Sequence, residues 1–144
     1  MKTPMVMIGC PFAAADRSEE HLKILGISQM AYFTRTFDDS ERPAGGNPDV
    51  HLFAHYPKAG NALLADGNAF ENIPPGGMSG GPFFRTGLDD SDMLWTPEMC
   101  TLIGVDQSWD GKFRWVKGTR SNKIIEQLRL WYPEHAGALQ GVTT

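Results

Sequence analysis

Ser79 lies in the string Asn72-Ile73-Pro74-Pro75-Gly76-Gly77-Met78-Ser79-Gly80-Gly81-Pro82, with two glycines on each flank and prolines at both ends. Glycine admits backbone dihedrals closed to other residues and lets a second segment approach closely, while proline fixes the directions of entry and exit. A loop of this make-up can aim successive backbone N–H groups at one point. A serine hydroxyl beside two converging N–H groups is what acyl transfer requires: a nucleophile next to an oxyanion hole. Stretches rich in Gly, Ser and Pro also form plain surface turns, so the surrounding elements must decide what this one is for.

The hexapeptide Gly77-Met78-Ser79-Gly80-Gly81-Pro82, followed by the apolar pair Phe83-Phe84, resembles the nucleophile segment of trypsin-like (chymotrypsin-fold) serine peptidases, in which Gly-x-Ser-Gly-Gly-Pro runs into a β-strand. The resemblance implies that Ser79 is the nucleophile and that the N–H groups of Gly77 and Ser79 form the oxyanion hole. Met78 departs from the digestive members, whose aspartate at this position pairs with a newly cut N-terminus; activation by such a cut is therefore not expected. Residues Gly77 to Gly81 also fit the Gly-x-Ser-x-Gly nucleophile elbow of α/β-hydrolases, which turns from a strand directly into a helix. Gly80, Gly81 and Pro82 are poor material for a first helical turn, and Phe83-Phe84-Arg85-Thr86 has strand composition. An esterase of that type is the lesser alternative.

The rest of the chain reads mainly as short strands. Met5-Val6-Met7-Ile8-Gly9 is a continuous apolar run suited to a buried strand. Ala13 to His21 reads as a loop or a short helical turn, and Leu22 to Met30 and Ala31 to Phe37 as two strands. Asp38 to Asp49, with Gly45-Gly46-Asn47-Pro48, reads as a long exposed loop. Val50 to Tyr56 follows as a strand and Leu63 to Phe70 as a hairpin turning on Asp66-Gly67. After the serine loop come strands over Phe83 to Thr86, Thr101 to Gln107 and Phe113 to Lys117, the last two joined through Asp110-Gly111. Ser121 can cap a helix whose Ile124, Leu128 and Trp131 recur at helical spacing and which Pro133 stops.

Strands before the serine loop, two or three after it and one terminal helix extend the resemblance over most of the chain, to the second of the two β-barrels of a trypsin-like peptidase. The expected fold is therefore all-β, an antiparallel six-stranded-type β-barrel with a C-terminal α-helix. Residues 1–133 would form this single domain and 134–144 a frayed tail. Leu102-Ile103-Gly104-Val105 resembles the strand that leads to the substrate-pairing segment of that family. On this register Gln107, Ser108 and Trp109 would lie along a peptide substrate, and Ile73 would sit at the floor of the side-chain pocket.

The family's histidine and aspartate come from the first barrel and precede the serine. No such string occurs before Ser79, where the residues are already used by the second barrel, so the triad is incomplete within the chain. His51 and His55 fall in a strand, where they would stand roughly 13 Å apart, too far to share one metal ion. His21 lies in a charged loop. His135 with Asp106 or Asp110 offers the Ser, Asp, His order of the hydrolase alternative. The sequence thus implies the serine-bearing half of a serine endopeptidase, inactive unless a first-barrel chain supplies the base, or a non-catalytic half-barrel that binds a peptide or protein. Self-association as a homodimer through the flank that would meet the first barrel is a further expectation.

Composition excludes other classes. The 144 residues carry a net charge of −4 with no lysine-arginine cluster, which argues against a nucleic-acid surface. No stretch reaches membrane-spanning length. Cys10 and Cys100 lie outside any Cys-x-x-Cys motif and are expected as free, buried thiols. No metal or cofactor is implied. The absence of a disulfide framework or a signal-like segment gives the expectation of a reducing, cytoplasmic setting.

Overall fold

The apolar run at the N-terminus becomes the middle strand of a curled antiparallel sheet, because Met5, Val6 and Met7 are buried on both of its faces. A computed structural model describes residues 3–11, 15–17, 24–27, 29–38, 41–56, 62–64, 69–70, 74–88, 94–112 and 114–138. Among them the strands are β1 (Pro4–Gly9), β2 (Ala15–Arg17), β3 (Ile24–Ile27), β4 (Met30–Arg35), β5 (His51–His55), β6 (Ala62–Leu64), β7 (Ala69–Phe70), β8 (Pro82–Arg85), β9 (Thr101–Asp110) and β10 (Trp115–Arg120), followed by helix α1 (Ser121–Trp131).

Eight strands join in the order β5-β10-β9-β8-β1-β4-β6-β7, and β2 pairs with β3 separately. The segment read as a loop from Ala13 to His21 thus contains β2. On β1, Met7 faces Tyr32 of β4 on one side and Phe83 of β8 on the other. The six strands from β5 to β4 curl until the end of β4 meets β5 through a Thr36–Ala54 bridge and a Phe37 N–H bond to Phe53 O at 2.9 Å. No ladder continues along that seam among the described residues; β4 turns instead to β6, with Met30 opposite Leu64. The sheet is therefore a half-barrel rather than the closed six-stranded barrel that the sequence suggested.

The concave side holds the core: Met5, Met7, Met30, Tyr32, Leu52, Ala54, Tyr56, Met78, Phe83 and Val116. Four of these ten are methionines, unbranched side chains that fill irregular gaps under a curled sheet. The curl needs small residues inside. A Cβ on Gly118 would stand 2.5 Å from the Phe83 ring, and one on Gly104 2.5 Å from Leu52, so both strands reach the core only as glycine at these points.

The Asp110-Gly111 hairpin forms as read, but its strands run to different limits, β9 on to Asp110 and β10 on to Arg120, because their mutual pairing supplies the bonds. Helix α1 follows without a break. Ser121 does not cap it: no side chain caps this end, and the Ser121 hydroxyl instead donates to Leu102 O at 2.9 Å, pinning the helix start to β9. Pro133 ends the helix and opens a short 3₁₀ turn to His135. Both cysteines are free as expected, but Cys10 is exposed and Cys100 half-buried. No helix of the described residues is long and apolar enough to cross a membrane.

Candidate functional site

The serine loop is held from below and from the side. Below, Met78 is 1% exposed and packs against Gly9, where an added Cβ would lie 2.9 Å from the methionine terminus. An aspartate at this position would carry its charge into that apolar floor; Met78 serves as a plug. From the side, Gly80 N–H donates to Asp106 O and Asp106 N–H donates to Gly81 O, each at 2.8 Å, so the loop joins β9 just before β8 begins. Gly81 runs so close to β1 that a Cβ would fall 2.2 Å from Ile8 O.

Within this frame the chain reverses twice. Gly77 has φ +95° and Gly80 φ +91°, conformations that L side chains resist. Internal bonds from Met78 N–H to Pro75 O (3.0 Å) and from Gly81 N–H to Met78 O (2.8 Å) tighten the turns. Gly77 and Ser79 are both exposed between them. Among the described residues their N–H groups donate to no backbone carbonyl. The Ser79 hydroxyl donates to Gln107 O at 3.3 Å.

Opposite the loop, β9 carries a bulge. Lys117 pairs with Ser108 and Gly118 with Asp106, leaving Gln107 as the extra residue. Bulges re-aim side chains and are frequent beside functional sites. Here the bulge exposes Gln107 and turns its carbonyl to Ser79, while Asp106 goes inward, 5% exposed. Burial pushes the Asp106 carboxyl up to about 6, partly countered by the backbone N–H groups of Gln107 and Ser108 that bond it. Its Oδ1 is buried without a hydrogen-bond partner.

Beyond the bulge, Trp109 lies beside the loop: a Cβ on Gly76 would be 3.7 Å from its indole nitrogen. The Trp109 ring is 6.0 Å from Tyr56, whose ring is 5.9 Å from Tyr32. Burial raises the phenols of both tyrosines, which also hydrogen-bond each other. The Arg114 guanidinium sits 5.7 Å from the Tyr56 ring centroid, and Arg114 itself has φ +58°, a strained value for this residue type. Its carbonyl accepts the Tyr56 N–H at 2.9 Å.

The structure therefore brings Gly77, Ser79, Gln107 and Trp109 to one surface, with Ser108 half-buried behind them. Ile73 lies outside the described residues, as does His21. The other histidines do not join the serine. His51 accepts the Asn47 N–H at its Nδ1 (3.1 Å), His55 stacks on Phe37 with centroids 3.8 Å apart, and His135 lies 3.9 Å from Glu134. His51 and His55 face Thr119 and Trp115 at opposite ends of β5, two strands away from Gln107. Among the described residues no group of three His, Cys, Asp or Glu side chains is placed to hold a metal ion. Sequence reading missed the buried state of Asp106 and the Tyr32–Tyr56–Trp109 row. Period-two alternation gave no signal for this burial: the apolar Ile103 and Val105 have the opposite parity to Asp106, and Leu102, which shares its parity, is exposed. Comparison with protein-family models, curated proteins and solved structures gave no match.

Proposed function

We propose that this chain is the serine-bearing half of a trypsin-like serine peptidase, built for acyl transfer at a peptide bond and dependent on another domain or chain for its general base. The observation that carries this reading is the clamped loop. Two 2.8 Å bonds to Asp106 fix the backbone around Ser79, Gly77 and Gly80 turn the loop at positive φ, and among the described residues the N–H groups of Gly77 and Ser79 donate to no backbone carbonyl. In this reading they receive the developing oxyanion, while Gln107, Ser108 and Trp109 line the extended peptide. The segment after Ser79 enters β8 rather than a helix, which supports this reading over the nucleophile-elbow alternative.

A serine without its base loses about 10⁶ in turnover, while an oxyanion hole with binding retains roughly 10³–10⁴ over water. The half-barrel alone is thus a binding surface with residual chemistry. A partner presenting a histidine-aspartate pair, such as a first-barrel chain, would complete it. A second reading, a purely peptide-binding half-barrel, is favoured by the Ser79 hydroxyl donating to a carbonyl rather than to a base.

Amide NMR during titration with short peptides ending in a free carboxylate tests the proposal. A product-like carboxylate seated in the hole shifts the Gly77 and Ser79 amides together with Gln107 to Trp109. Shifts confined to Gln107 to Trp109, equal for amidated peptides, would leave only the binding reading; no shift at either segment would overturn both.

A further inference from the structure

At the end of the half-barrel away from Ser79, three arginines converge. The serine loop enters β8 at Pro82, and Arg85 ends that strand roughly 10 Å further on. Arg120 ends β10 opposite Gly104, and Arg42 comes from the loop between β4 and β5. All three line a cleft of about 290 Å³ together with Thr3, Thr36 and the apolar wall at Phe53. The cleft is well framed: Thr3 N–H donates to the Thr36 hydroxyl at 3.0 Å, and Thr36 N–H returns a bond to Thr3 O at 3.0 Å. Arg120 Nε donates to Pro48 O at 2.9 Å, which fixes the plane of its guanidinium.

Among the described residues no carboxylate lines this cleft. The chain has 13 lysines and arginines against 17 acids, so three guanidiniums around one small cavity is a local reversal of the overall charge. Asp38 and Glu41 are the described acids nearest to Arg42 in sequence, and neither lines the cleft. Guanidinium groups present paired N–H donors that match phosphate and carboxylate oxygens, and hydroxyls and an apolar wall complete a typical small-ligand site.

We propose that this cleft binds a multivalent oxyanion, a phosphate- or polycarboxylate-bearing small molecule, at a site separate from the serine loop. Arg42, Arg85 and Arg120 hold the oxyanion and Phe53 borders whatever carries it. The proposal does not depend on the peptidase reading, since it shares no residue with that site.

Titration of the full chain with sodium pyrophosphate near physiological salt, followed by calorimetry and amide NMR, tests it. Saturable binding is expected below about 1 mM, with shifts at Thr3, Thr36 and Arg85 and none at Gly77 or Ser79. Arg42→Gln, in a loop, and Arg85→Gln should each weaken binding about tenfold or more, while Lys123→Gln, outside the cleft, changes it less than about twofold. Citrate distinguishes the sources: binding equal to that of pyrophosphate assigns the site to polycarboxylates as well as phosphates. Absence of saturation by either anion up to about 10 mM, which corresponds to less than about 3 kcal/mol of binding, would overturn the proposal. Equal weakening by all three variants would overturn it too, because binding would then follow net charge alone.

Discussion

Asp106→Asn isolates the cost of the buried carboxyl behind the serine loop. Burial moves this group from its ordinary 3.8 to about 6. At about 1.36 kcal/mol per pH unit the ionised form is disfavoured in the folded chain by about 3 kcal/mol. The folded state binds the proton more tightly than the unfolded state, so the contribution to stability is full below the unfolded value of 3.8. It declines as pH rises and is lost once pH passes about 6. Asparagine keeps the shape and can still accept the Gln107 and Ser108 N–H bonds, but has no charge to bury. Its constant offset depends on how the amide nitrogen meets the site where Oδ1 now has no partner; the pH-dependent part does not. The stability of the variant relative to the parent should therefore rise by about 3 kcal/mol between pH 3.5 and pH 8, roughly 6–12 °C in midpoint for a chain of this size. Every other carboxylate is common to both proteins and cancels. Urea denaturation at four pH values across this range measures it. A difference constant to within about 0.5 kcal/mol, or one that falls with pH, would refute the assignment of Asp106 as a buried group titrating against its surroundings.

Three further outcomes follow from the serine loop. The isolated chain should show no labelling of Ser79 by a fluorophosphonate within hours at neutral pH, since its hydroxyl is bonded to a carbonyl and not to a base; fast stoichiometric labelling that disappears in Ser79→Ala would place a base within the chain. Gly81→Ala should lower stability by about 3 kcal/mol or prevent folding, because its Cβ would fall 2.2 Å from Ile8 O. Gly80→Ala, which has φ +91° but nothing within 4 Å, should cost only about 1–2 kcal/mol; thermal melts that rank the two variants in the reverse order would contradict the described packing.

The parts of this fold that were legible in the sequence are those governed by neighbours in the chain. Gly77, Gly80 and the bracketing prolines announce a rigid loop whatever it packs against, and Asp110-Gly111 marks its hairpin for the same reason. Met5 to Ile8 needed only its apolar run to be read as a buried strand. Whether the sheet closes is another matter: closure depends on the length of ladder between β4 and β5, and that pairing stops at Thr36 and Ala54 because β4 is also claimed by β6. Ser121 shows the same limit on a small scale. It has the composition of a cap, yet Leu102 O lies within reach and takes the hydroxyl. Asp106 was visible as a charge in an apolar strand; its burial is settled by the bulge at Gln107 and by the loop laid across it.

The bond from Ser79 to Gln107 O carries a consequence for reactivity. It directs the hydroxyl hydrogen at an acceptor far too weakly basic to take it, so the oxygen rests as a donor in a closed circuit with the bulge. At 3.3 Å the contact is long beside the 2.7–2.8 Å usual for a hydroxyl donor, and such a contact holds the rotamer only lightly. An imidazole arriving from outside would need to displace one weak bond and swing one torsion, without moving the backbone that Asp106 clamps. On the proposed reading, the serine is thus idle in its proton while the backbone beside it is already clamped to Asp106.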